Sequence, residues 1–220
     1  MVFAVNTGLI KHNALSGIRA NFIIPTSVNY PTLKPKQLPQ LMKALYRASI
    51  KHTTLNLILF QLHSMSRPSE AAGAKWAEIK NDCWVIPAER MKRNKKHIVP
   101  LTRQTRALLD DMKKSNPYSD YIFPSARSIK KPSSSSTANV ALKRMGFKGL
   151  LVSHGLRSLA STTQNEQGFD AELIEVSLAH VDKNTVRSAY NRAEYIEKRR
   201  VMLQWWSDHI VDSTVKGLTS

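Results

Sequence analysis

The spacing of apolar residues in this 220-residue chain changes character once, and that change constrains the fold more than any other feature. In "QLPQLMKALYRAS" and "TTLNLILFQLHSM" apolar side chains return every three or four residues, the period of a helix with one buried face. Leu55, Ile58, Leu59 and Leu62 mark that face in the second. "CWVIPAE" and "HIVPL" then break the period. Short, β-prone and separated by the polar run "RMKRNKK", they predict a hairpin with a basic connection. "KWAEI" is a candidate third strand.

Helical spacing resumes at "RQTRALLDDMKK", at "SSTANVALKRMG", where Ser/Thr precede and Gly146 follows, and at "HGLRSLASTTQNEQG", closed by Gly168. "AELIEVSLAH" and "NTVRSAYN" predict two more helices and "AEYIEKRRVMLQWWSDHIV" a long final one. The expected architecture is mainly α with a small antiparallel β-sheet, an α+β fold. "NYPTLKPKQLP", with Pro31, Pro35 and Pro39, has the composition of an extended linker running into a helix start. Residues 1–34 are therefore expected to be the tail of a preceding domain plus its linker, 35–212 the body, and 213–220 a flexible tail. "KKPSSSS", residues 130–136, is expected as a flexible loop.

The single cysteine, Cys83, excludes an internal disulfide and every multi-cysteine zinc pattern, which suits a reducing compartment such as the cytoplasm or nucleoid. Beside Trp84 it has the setting of a small buried hydrophobe. Thirty-three Lys and Arg against 16 Asp and Glu give a formal charge of +17, which points to a polyanionic partner. The cations are scattered through mixed structure rather than gathered on one basic amphipathic helix, and no apolar run approaches the ~20 residues of a bilayer span. Nucleic acid is thus favoured over a membrane.

Transfer of a DNA phosphodiester to a protein hydroxyl, done without metal, calls for guanidinium groups on the non-bridging oxygens, a proton donor for the leaving oxygen and a proton acceptor for the nucleophile. Arg67, followed by Pro68 and Glu70, is the first candidate; a helix-capping ion pair with Glu70 is the alternative reading. His154 and Arg157, three apart, share one helix face near an amino terminus. Arg90, Lys92, Arg93, Lys95 and Lys96 crowd the hairpin connection, most of them suited to phosphate contact. Lys92, placed at the end of the first strand, is the best candidate for a mobile acid, with Lys95 in reserve.

His180 lies ten residues before Tyr190. Tyr195, about 500° further round a continuous helix, faces elsewhere and suits packing or an interface. The remaining histidines, His12, His52, His63, His97 and His209, lack ligand spacing, so no metal site is expected. Trp205 and Trp206 fit a helical core.

The order Arg67, Lys92, His154-x-x-Arg157, His180, Tyr190 resembles the catalytic set of the tyrosine recombinases, also called the phage integrase family. The resemblance covers about residues 35–208 and extends to "SRPSEAAGAKW", "IPAERMK", "HIVPL", "HGLRS", "LAHVDKNTVRSAYNRAEY" and "RRVMLQWW". These phrases look like the branch carried by phages, genomic islands and integrative elements of bacteria. The resemblance implies that Arg67 and Arg157 clamp the scissile phosphate, that Lys92 protonates the leaving 5′ oxygen and that His154 assists deprotonation of the nucleophile. It further implies that His180 binds a non-bridging oxygen, that Tyr190 forms a 3′-phosphotyrosyl link, and that Glu70 supports Arg67.

It implies no cofactor, double-stranded attachment-site DNA as substrate, a synaptic tetramer, and directionality and bending factors as further partners. Two other functions are compatible with the same composition: a DNA-binding module without catalysis, and relaxation of supercoils in the manner of a type IB topoisomerase.

Overall fold

The computed structural model describes residues 2–17, 30–180 and 192–219. Helix α1 is short, Val2–Asn6. The body begins at α2, Leu38–Arg47, with Pro39 in its first turn, where a missing N–H costs no helical bond. Leu38, Leu41, Met42 and Leu45 form its buried stripe.

Helix α3, His52–Ser64, is buried on all sides over its second half. Its polar side chains there are satisfied internally, as burial requires. Gln61 and Ser153 exchange two bonds at 2.7 Å, and Ser64 Oγ donates to Phe60 O at 2.6 Å. His63 Nδ1 meets Ser207 Oγ at 2.9 Å, and burial pushes its pKa down to about 4, so the ring is neutral. Met65 then ends α3 in the left-handed region at φ 53°, an uncommon conformation for a non-glycine residue. The turn leads into α4, Pro68–Ala72.

The hairpin forms as its sequence predicts, from β2, Cys83–Ile86, and β3, His97–Pro100, in antiparallel register with Trp84 opposite Val99 and Ile86 opposite His97. Trp84 and Ile86 are buried while Cys83 and Val85 are partly covered, the period-two alternation of a strand with one face inward. Trp84 packs on Phe60 with ring centroids 5.0 Å apart. The expected third strand is smaller than "KWAEI". Trp76–Glu78 turns as a 3₁₀ helix, and only β1, Ile79–Lys80, pairs with β2.

After α5, Arg103–Ser115, capped by Thr102, comes a second sheet that the sequence did not announce. Strands β4, Pro124–Ser125, and β5, Ser128–Pro132, pair antiparallel, so Lys130 and Lys131 belong to a strand rather than to the expected flexible loop. Helix α6, Thr137–Leu142, runs into a wide turn relieved by Gly146 at φ 92°. Helices α7, Gly155–Glu166, and α8, Ala171–Ser177, follow. The helix expected at 184–191 lies outside the described residues.

Helix α9, Arg192–Thr219, closes the body. Met202, Leu203, Trp206 and Ile210 form its buried stripe, and Trp206 Nε1 donates to Leu62 O at 2.8 Å, so this helix packs on its own chain. Residues 213–219, expected as a flexible tail, continue the helix. Ser213 is buried, and Gly217 crosses α2 so closely that a Cβ there would stand 2.3 Å from Pro39 O. Among the described residues no helix is long and apolar enough to cross a membrane.

Candidate active site

The turn after α3 places Arg67 at the mouth of α4. Its backbone N–H donates to Glu70 Oε2 and its Nη1 to Glu70 Oε1, both at 2.8 Å, with Glu70 buried. The capping ion pair and the supporting role of Glu70 are therefore one structure: the carboxylate holds both the start of the helix and the guanidinium. Nη2 of Arg67 is left facing Leu178 O at 3.4 Å.

Arg157 comes to the same carbonyl from α7. It is 4% exposed, donating through Nη1 to Met65 O and through Nη2 to Leu178 O, each at 2.5 Å. Two guanidiniums thus converge on one oxygen just past the end of α8, where helix carbonyls lack intrahelical partners and attract cations. Burial first, and then the charge of Arg67, push the pKa of Arg157 down to about 10, opposed by Glu70 and Glu175; it stays charged at neutrality.

Both histidines border this pair. His154 directly precedes α7 and is half-buried. Burial lowers its pKa, helped by Arg157, Arg67 and His180 and opposed by Glu70, so at neutral pH the ring is a proton acceptor. His180 follows Ala179, which is left-handed at φ 51°. Its Nδ1 meets Glu175 Oε2 at 2.7 Å, a contact that favours the Nδ1–H tautomer and leaves Nε2 for other chemistry.

The hairpin residues divide. Strand β2 ends at Ile86, so Lys92 lies beyond the strand, on an exposed turn shared with Arg93, Lys95 and Lys96. These four cations are presented to solvent. Arg90, expected on phosphate, is instead turned inward. Its Nη1 pairs with the buried Glu78 carboxylate and its Nη2 donates to Glu70 O at 2.6 Å, so it braces the element carrying Arg67. Tyr190 lies outside the described residues. Tyr195 is half-buried against the core, in keeping with packing.

Two residues next to the site escaped the sequence reading. His97, first in β3, is partly covered; burial, Arg199, Arg157 and Arg67 push its pKa down to about 3, so it is a neutral ring among cations. Arg199 of α9 is 3% exposed, its Nε donating to Ser177 Oγ at 3.0 Å and its Nη1 to Ile98 O at 2.9 Å. It ties α9 to β3 and to the end of α8. A signal was available: Arg199 stands three residues before Met202 and seven before Trp206, on the apolar stripe. Among the described residues no three His, Cys, Asp or Glu side chains gather as a metal site.

Residues 31–197 match the family model described as the phage integrase family. The chain is 50% identical over 210 residues to the prophage integrase IntA of Escherichia coli (strain K12), covering 94% of this chain and 51% of that protein. It is 33% identical over 211 residues to the integrase of Shigella phage Sf6, covering 94% and 54%. The chain spans about half the length of these curated relatives. Among solved structures, a lambda integrase dimer bound to a COC′ core site aligns with a TM-score of 0.60 at 20% identity, over 89% of this chain and 55% of that one. The integrase from mycobacterium phage Brujita aligns with a TM-score of 0.61 at 16% identity, over 95% and 72%. With most of its body inside the matched region and the tyrosine recombinase catalytic-domain fold around its arginine pair, the chain belongs to the phage integrase family.

Proposed function

We propose that this chain is the catalytic part of a site-specific recombinase that integrates or excises a phage-like or genomic-island element by cutting and rejoining double-stranded DNA. The observation that carries this reading is the convergence of Arg67 and Arg157 on Leu178 O with His154 and His180 beside them. Two fixed guanidiniums meeting at one oxygen have the geometry needed to hold the non-bridging oxygens of a phosphodiester as charge develops there.

The Tyr190 hydroxyl attacks phosphorus and its proton passes to His154. The P–O5′ bond breaks, Lys92 supplies the proton to the leaving oxygen, and a 3′-phosphotyrosyl link results. In its doubly protonated form, with Nδ1–H held by Glu175, His180 donates Nε2–H to a non-bridging oxygen. A 5′ hydroxyl of a partner strand reverses the step, so the bond energy is conserved and no nucleotide is consumed. Arg93, Lys95 and Lys96 on the exposed hairpin tip contact the DNA backbone.

The relatives are named as integrases of phage and prophage, and one solved neighbour is a lambda integrase tetramer bound to a Holliday junction. By that likeness the assembled form here is a tetramer on DNA. The reading adds action in the bacterial cytoplasm at the nucleoid, with directionality and bending factors as further partners.

The test is covalent trapping. Incubation with a pool of nicked duplexes at low salt, followed by mass spectrometry of the DNA-linked peptide, is expected to find the adduct on Tyr190. An adduct on Tyr195 rejects the assignment. A second check separates the acid from the rest. Lys92→Ala is expected to lower cleavage of an ordinary duplex by roughly 10²- to 10⁴-fold, the usual worth of a positioned proton donor. A duplex with sulfur at the bridging 5′ position, whose leaving group needs little protonation, is expected to restore it. Failure of that rescue with binding intact moves the acid role to Lys95.

A further inference from the structure

The segment entering the body is fastened to the helix that carries the candidate base. Val152 N–H donates to Pro31 O at 3.2 Å, Thr32 Oγ1 donates to Gly155 O at 2.8 Å, and Leu33 is buried in the core. Position 155 is closed to any side chain, since an added Cβ would stand 2.1 Å from Pro31 O. This close crossing sets the Tyr30 ring against that of His154, with centroids 4.5 Å apart and planes at 42°. Tyr30 is 60% exposed, so core packing does not account for its side chain.

We propose that Tyr30 is a positioning residue for His154: anchored by the strap at Pro31 and Thr32, its ring covers one side of the imidazole and fixes its orientation. The inference rests on the assignment of His154 as proton acceptor. The charged and titratable groups acting on His154 are Arg157 of its own helix, Arg67 and Glu70 at the mouth of α4, and His180 past α8. None of them is held by Tyr30. Removing the ring therefore alters the burial of His154 and leaves its charged neighbours in place.

The sign follows from burial. Burial disfavours the imidazolium, so uncovering the ring makes it easier to protonate and moves its titration to higher pH. A step that needs neutral imidazole then loses rate on the acid side.

The experiment titrates His154 by NMR in histidine-labelled protein, its resonance identified by loss in His154→Gln, for wild type, Tyr30→Ala and Tyr30→Phe. Single-turnover cleavage of a nicked duplex at saturating protein is followed over the same pH range. Tyr30→Ala is expected to raise the His154 midpoint and to lower cleavage about threefold at about pH 6, with recovery by about pH 8. DNA affinity is expected to stay constant, and Tyr30→Phe, which keeps the ring, is expected to follow wild type throughout. An unmoved midpoint in Tyr30→Ala overturns the proposal. A raised midpoint with an unmoved cleavage profile upholds the positioning of His154 and removes it from proton transfer, so the two readings fail separately.

Discussion

Tyr190→Phe is expected to leave no protein–DNA adduct under trapping conditions while DNA affinity and its salt dependence stay at wild-type values. The substitution deletes one oxygen, the atom proposed to bond phosphorus. The charge proposed to draw in DNA resides on other residues, including the exposed tip cations Lys92, Arg93, Lys95 and Lys96. Binding through backbone phosphates depends on the number of cations engaged, so the slope of affinity against salt should be unchanged. Electrophoresis under denaturing conditions reads the adduct, and a salt titration of binding reads the rest. A normal adduct level in this variant would falsify the assignment of the nucleophile.

The second large effect is expected at Arg157. Arg157→Lys should lower single-turnover cleavage by roughly 10²- to 10³-fold, the usual loss on removing one preorganised donor to a developing oxyanion. Arg157 spans Met65 O and Leu178 O with two different nitrogens, and an ammonium cannot reproduce that planar fork. One of the two carbonyls would be left short of a donor, so a stability loss of about 1–3 kcal/mol should accompany the catalytic loss. Thermal unfolding and cleavage at saturating DNA separate the two. Wild-type cleavage in a folded Arg157→Lys protein would remove this arginine from the phosphate clamp.

What could be read from the sequence was what short-range chemistry decides. Pro68 and Glu70 sit one and three residues from Arg67, so the cap that holds Arg67 is written locally. The hairpin register follows from two alternating runs. Arg90 was misread because its partner, Glu78, is 12 residues away across a strand, and five cations in seven residues look like one solvated patch until the fold selects the one that turns inward.

Arg199 was missed for the converse reason: within "EKRR" a cation reads as surface, although its place on the stripe of Met202 and Trp206 puts it inside. Strands β4 and β5 are short and rich in serine, lysine and proline, so composition resembled a loop and only tertiary pairing makes them a sheet. The helical run 213–219 lacked an apolar stripe long enough to announce itself; its packing depends on Gly217, whose value lies in having no side chain.

The contact of Gly217 with Pro39 bears on how this body sits in a larger polypeptide. Its first turn and its last turn are touching neighbours, although they are separated by nearly the whole sequence. Chain joined after residue 219 would therefore leave beside the first turn of α2, while chain entering α2 first passes the start of α7, where Pro31 lies against Gly155.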